Sequence, residues 1–288
     1  LFGFCTTKPD SVISFNPLEQ FGPFVDGWRS QFGASASGGT DLVQYYLAGD
    51  FDREQGVYPN NEARHRGIRA NLTSQLGTKL DVGVRAGYNQ ARLKLPQNDN
   101  NDLSPIANGI FGSAQDDPDL HGYLFYPADV INAIYTAQNV DRMTLSGNGN
   151  WRPLPWLSVV GVTGLDYAGR TDLQVIQPGL IPDPDRRAIG NATSNPYSFW
   201  TYTGNVNATA SYNLASTLTA STSIGGQYNK ETVNGTQAAG EGLAAGTGSV
   251  AGTTVGFAAT QQNTEVVNLG GYVQQKVAGR GRLVLTGV

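Results

Sequence analysis

The sequence is short of the residues on which most enzymes and secreted scaffolds depend. Its 288 residues include one cysteine, one methionine and two histidines. The lone Cys5 excludes an internal disulfide framework and a cysteine-built metal site within the chain. His65 and His121 are far apart in sequence, each in or beside a loop, and read as solvated side chains. Charge is also scarce, at 15%, where an average domain has about a quarter. The net charge of −4 argues against general nucleic-acid binding, which needs a basic surface. No run of eighteen apolar residues is present, so no transmembrane helix is expected. That does not exclude a membrane, because barrel strands carry their apolar residues in alternation. No Ser/His/Asp set, phosphate loop or dinucleotide fingerprint stands out, and the chain is not expected to be an enzyme.

What is abundant is glycine, 37 residues, with many Thr, Ser, Asn and Tyr, which suits an all-β protein. The clearest stretch is Phe199 to Asn229. One parity class holds Trp200, Tyr202, Gly204, Val206, Ala208, Ala210 and Tyr212; the other holds Thr201, Thr203, Asn205, Asn207, Thr209 and Ser211. Alternate side chains of a strand point to opposite faces, so this strand has one apolar and one polar face. Leu218 to Asn229 repeats the pattern after a short turn. Aromatics at both ends of an apolar face, with small residues between, are what a bilayer-crossing strand shows.

The same alternation predicts about ten strands. The first begins near Arg29, after a lead-in of residues 1–28 punctuated by Pro9, Pro17 and Pro23. Charges in strands two to four fall on one parity, which faces the interior in a transmembrane barrel. A short helix is expected over Ala128 to Gln138, after Pro127. Strands 1–2, 3–4, 5–6, 7–8 and 9–10 are joined by tight turns. The connections between these hairpins are longer, about residues 91–140, 171–198 and 230–263 for three of them. Short turns on one side and long loops on the other are the habit of outer-membrane barrels. The expected fold is therefore all-β, an antiparallel transmembrane β-barrel portion of about ten strands over residues 29–288. The alternative from another class is a secreted or surface adhesin built as a sandwich or solenoid.

Several segments resemble the SusC/RagA-like TonB-dependent outer-membrane receptors. They are Ser35-Ala36-Ser37-Gly38-Gly39-Thr40-Asp41 running into Tyr45-Tyr46-Leu47-Ala48-Gly49, and Arg69-Ala70-Asn71-Leu72. Others are Gln138-Asn139-Val140-Asp141-Arg142, Gly164-Leu165-Asp166-Tyr167 and Gly271-Tyr272-Val273-Gln274-Gln275. The resemblance implies a large barrel enclosing a plug, of which this chain would be an internal piece without plug or TonB box. It further implies uptake of a nutrient, a glycan or similar oligomer, with outer-membrane lipid, the TonB complex and a SusD-like surface lipoprotein as partners.

The candidate substrate-facing loop residues are Tyr123, Phe125 and Tyr126, which could stack on sugars but equally suit loop packing, and Asp183 and Asp185. The candidate lumen-facing residues are Arg69, Asp81, Arg85, Arg142 and Asp166, which could line a path or pair with one another. Asn98 to Asp102 and Asp183 with Asp185 are oxygen-rich enough to consider for Ca²⁺. Neither has the glycine-spaced ligand loop, so no cofactor is expected.

Overall fold

In a computed structural model, residues 15–97, 101–113, 118–279 and 283–287 are described. Ten antiparallel strands form one sheet in sequence order. They are β1 (Trp28–Gly39), β2 (Val43–Gln55), β3 (Glu62–Leu76), β4 (Leu80–Lys94), β5 (Tyr135–Leu154), β6 (Leu157–Ile176), β7 (Asn191–Ala215), β8 (Leu218–Leu243), β9 (Thr253–Gly279) and β10 (Leu283–Gly287). Every neighbouring pair is a hairpin, and among the described residues no second sheet faces the first. A sandwich would need that second layer.

The tight turns are residues 40–42, 77–79, 155–156 and 216–217. Two need glycine. Gly77 takes φ +69, and a Cβ on Gly39 would meet the Val43 carbonyl oxygen at 2.1 Å. The turn between β9 and β10 lies outside the described residues. The opposite end carries the long connections, but these are shorter than the sequence suggests. They span residues 95–134, 177–190 and 244–252. The difference is strand. β7, β8 and β9 run for 25, 26 and 27 residues, where about 9–11 suffice to cross a bilayer. Segments such as Thr236-Gln237-Ala238-Ala239 alternate too weakly to be read as strand. They are extended because each finds a ladder partner: Thr236 opposite Gln261, Ala238 opposite Ala259.

The registers make one face continuous. Leu47 stands opposite both Ala36 and Ala70, and Ala70 opposite Ala86. The line continues through Ala86 to Leu145 and Leu165, then to Tyr202. On this apolar face Phe32, Leu47, Ile68, Val84, Leu145, Val206, Ile224 and Leu269 are all exposed, Leu269 to 84%. Aromatics border it on both sides. Tyr45, Trp151 and Tyr212 lie toward the tight turns; Phe51, Tyr88, Tyr167, Trp200, Tyr202 and Tyr228 lie toward the long connections. Tyr167 and Trp200 touch at 4.3 Å between ring centres, and Trp200 stacks on Tyr202 at 6.1 Å.

Two expectations are corrected. The helix at Ala128 stops at Asn132, with Pro127 as its N-cap rather than its first residue. Tyr135 and Thr136 instead pair with Val175 and Gln174 and open β5. An aromatic and a β-branched residue beside an available strand edge gain more from the ladder than from two further helical turns. Nor do strand charges keep to one parity. Arg53, Arg64, Arg66, Arg92, Lys94 and Asp141 share the apolar parity, beyond the aromatic border on the long-connection side. Within the border the single-parity rule holds.

The lead-in, expected as loop, contains one helical turn, α1 (Pro17–Gln20), capped by the Asn16 side chain. It docks against α2 (Pro105–Phe111). Cys5 lies outside the described residues.

Candidate functional site

The polar face carries the candidate path. Gln44, Asp50 and Asp52 of β2, Arg69 and Asn71 of β3, and Asp81, Arg85 and Asn89 of β4 share its parity. Arg142, Thr144 and Ser146 of β5 and Asp166 of β6 continue it, to Thr201 and Thr203 of β7. A hollow of about 620 Å³ opens among these side chains, lined by Asp50, Arg69, Asn71, Arg85, Asn89 and Asp166.

The five sequence candidates on this face separate into two groups. Arg142 and Asp166 form a two-pronged pair, Nε to Oδ1 at 3.0 Å and Nη2 to Oδ2 at 2.5 Å. Asp81 accepts from Arg152 Nη2 at 2.7 Å, near the tight turns. Both pairs are local, each between adjacent strands. Arg69 and Arg85 stand otherwise. Arg69 leans over the Tyr46 ring at 6.0 Å, and Arg85 donates only to the Asn148 amide oxygen at 3.3 Å. Among the described residues neither has a carboxylate partner, so both guanidiniums are open toward the hollow. Asp50, Asn71 and Asn89 join them; their parity is readable from the sequence, but their convergence depends on the register.

The described parts of the connection between β4 and β5, residues 95–97, 101–113 and 118–134, fold over the long-connection end of this same face. Gln97 donates to Thr136 Oγ1 at 2.7 Å, and Thr136 shares the parity of Arg142. Ile131 and Ile134 bury against Ile176, Ile181, Leu103 and Tyr126; Ile176 shares the parity of Asp166. Asn108 organises the layer from inside, only 1% exposed. Its amide nitrogen donates to the carbonyls of Asp102 and Ser104, at 2.7 and 2.9 Å. Its Oδ1 accepts from the Phe125 backbone at 2.8 Å. No spacing rule marks this asparagine in advance, because it acts through backbone groups.

The aromatic candidates part company here. Tyr123 is fully buried and donates to the Phe21 carbonyl at 2.9 Å. Burial, with Asp129 adding, pushes its hydroxyl up to about 12. Tyr126 is 8% exposed, and its hydroxyl donates to Asp185 at 2.6 Å. Phe125 is 52% exposed at the surface of the layer. Ile110 and Phe111, missed from the sequence, are exposed on α2. Asp183 is exposed and Asp185 is engaged within the layer. Among the described residues no group of three or more His, Cys, Asp or Glu is placed to hold a metal ion. Asn98 to Asn100 lie outside them. His65 is on the polar face, while His121 stacks on Phe21 at 4.5 Å, so the two histidines are not brought together.

The layer is clamped by Arg187, which the sequence does not flag. Its guanidinium donates to Asp185 Oδ2 at 2.6 Å and also to Asp102, joining residues 177–190 to residues 101–134. The hydrogen bond from Arg187 holds the Asp185 carboxyl well below the usual carboxylate range, against the opposing effect of burial. A carboxyl of depressed folded pKa stabilises fully above its unfolded value, about 3.9, and loses that contribution as pH falls through the folded value. We expect limited proteolysis at residues 177–190 to stay slow at neutral pH and to accelerate only below about pH 4. An Arg187→Met variant should be cleaved faster even at pH 7 and show less additional acid sensitivity.

A one-layer sheet with an exposed apolar belt and a polar face under a loop cover is a segment of the wall of an antiparallel β-barrel. No protein-family model matches the sequence, and no curated protein matches it. Solved structures do. The chain superposes on a chain of the RagAB peptide transporter with TM-score 0.73 and 14% identity, covering 90% of this chain and 31% of that one. The RagAB peptide importer in its open-open state gives TM-score 0.74 at 14% identity, over 92% of this chain and again 31% of the other. At that identity what is shared is the fold, and this chain spans less than a third of the length of the barrel proteins it resembles.

Proposed function

We propose that this chain is part of an outer-membrane, TonB-dependent nutrient importer of the SusC/RagA-like kind. One observation carries the reading: the register gathers Leu47, Ile68, Val84, Leu145, Val206, Ile224 and Leu269 on one face between two aromatic borders, while the other face is mostly hydrogen-bonding, with Val160 and Val162 its exceptions on β6. The first face suits hydrocarbon; the second suits a water-filled interior. Substrate enters past the loop layer and meets the polar hollow. A SusD-like lipoprotein covers the long-connection end, where Phe111 and Phe125 are exposed. TonB acts through segments other than this one. The role is transport.

The substrate class we favour is a short peptide. Arg69 and Arg85 present unpaired guanidiniums, and Asp50, Asn71 and Asn89 present acceptors around them. That mixture suits carboxylates and amides; the structures of similar fold are those of a peptide transporter. A neutral glycan, the substrate implied by the sequence resemblance, would accept hydrogen bonds from both guanidiniums but leave their charge without a partner.

The test is binding of an oligopeptide mixture to the intact receptor and to its Arg69→Gln/Arg85→Gln variant, with a neutral oligosaccharide in parallel. Loss of charge-assisted hydrogen bonds worth about 1.5–3 kcal/mol should weaken peptide binding by roughly 10–100-fold. Unchanged peptide binding would remove these arginines from the path. Oligosaccharide binding alone would return the substrate to glycans.

A further inference from the structure

The apolar parity also carries a cluster of cations that the transport path does not use. Above the aromatic border, Arg53 of β2, Arg64 and Arg66 of β3, and Arg92 and Lys94 of β4 stand on the same face as the apolar belt. Only Glu62 and Asp141 offset these five cations on that patch. Glu62 is shared by Arg53, Arg64 and Lys94, at 2.8, 2.7 and 3.7 Å. Asp141 is taken by Arg92 at 2.7 Å and by the Tyr88 hydroxyl at 2.6 Å. Arg66 has no carboxylate partner among the described residues; its guanidinium lies over the Phe51 ring at 5.7 Å. Three positive charges are left over.

The patch is concave. Arg64, Arg66, Gln90, Arg92 and Lys94 line a pocket of about 220 Å³ together with Glu62, whose carboxylate is already held by Arg53, Arg64 and Lys94. Directly toward the belt, on the same strands, a groove of about 670 Å³ is lined by Leu47, Ile68, Ala70, Ala86, Tyr88 and Met143. Its floor is alanine, so the groove is deep where neighbouring belt residues are bulky. From Arg66 to Ile68 the strand rises by about 6.6 Å. Cationic pocket and apolar groove therefore meet within one headgroup's length.

We infer that this face binds a membrane lipid whose headgroup carries phosphate. The phosphate oxygens are held by Arg64, Arg66, Arg92 and Lys94, and an acyl chain lies in the alanine-floored groove. Arginine forks and phosphate oxygens match in charge and geometry. A soluble anion would account for the pocket but not for the groove that continues it. The inference rests on the transmembrane reading, which barrel insertion measures separately.

The test places the intact receptor in phosphatidylcholine nanodiscs doped with phosphatidic acid and counts co-retained lipid by native mass spectrometry. Wild type should retain phosphatidic acid in preference to phosphatidylcholine. Arg66→Gln spares the ion pairs to Glu62 and Asp141 and should lower that preference several-fold; with Arg64→Gln, Arg92→Gln and Lys94→Gln added, the loss should reach about tenfold or more. Ala86→Phe, which fills the groove and leaves every cation, should also lower retention. Equal retention of the two lipids by wild type would overturn the inference. So would insensitivity to Arg66→Gln and Ala86→Phe in variants that insert normally. Complete displacement by inorganic phosphate, with no effect of Ala86→Phe, would identify a free-anion site and overturn the lipid. Failure of wild type to insert would bring down the transmembrane reading itself.

Discussion

Val206→Arg should prevent or severely slow barrel insertion, while Asn205→Arg, one residue away, should be tolerated. Val206 is 55% exposed at mid-belt, between Tyr202 and Tyr212. A charge at the bilayer midplane of a barrel's lipid face costs about 2–4 kcal/mol. That is a large share of the about 5–15 kcal/mol by which a native protein is usually stable. Asn205 belongs to the polar parity, opposite Val162 and Gln227, where an added guanidinium remains hydrated. Folding of the two variants of the intact receptor into lipid vesicles, followed by gel migration and by urea midpoint, gives the comparison. Equal tolerance would mean that the exposed belt faces water. Equal damage would mean that both faces are packed.

Ile131→Ala should release the loop layer without unfolding the strands beneath it. Ile131 is fully buried against Leu103, Tyr126, Ile134, Ile176 and Ile181. Truncating a buried isoleucine costs about 2–5 kcal/mol, from lost transfer and from the cavity left behind. The layer has few other anchors: the Asn108 hydrogen bonds, the Arg187 clamp and the docking of α1 on α2. Hydrogen exchange should show faster opening of residues 101–134, with β3, β4 and β5 unchanged below the aromatic border. Ligand binding should weaken in the same variant if the layer positions the mouth of the path. Uniform loss of protection across the sheet would show instead that the layer is needed for the strands themselves.

The sequence exposed strand existence, strand order and facing well, because these depend on period-two alternation within ten or so residues. Val82, Val84, Val206 and Ile224 can be assigned to one face from local pattern alone, and the ladders place them there. The turn at Gly77 is equally local, since only a residue without a side chain takes that backbone conformation easily. The ends of β7, β8 and β9 were not legible. Thr, Gln, Ala and Gly there have no strong preference, and their extension comes from hydrogen bonds to strands tens of residues away. The helix after Pro127 was overestimated for the same reason: the edge of β6 competes for Tyr135 and Thr136.

The site divides along the same line. Alternation assigned Arg69, Arg85, Arg142 and Asp166 to the polar face. It could not say that Arg142 and Asp166 spend their charge on each other while Arg69 and Arg85 do not. It also grouped Tyr123, Phe125 and Tyr126, although packing buries two of the three. The outward arginines were visible as Arg64 and Arg66 in phase with Ile68, but a rule written for mid-membrane positions assigned charge to a single parity.

What the sequence determined by itself is which side chains share a face, because that follows from the pleat of one strand and needs no partner. What only the tertiary structure decided is which of them meet across strands, how far the strands run, and what covers their ends. Those depend on register and on long-range contacts, and residues far apart in the chain must come together before either exists.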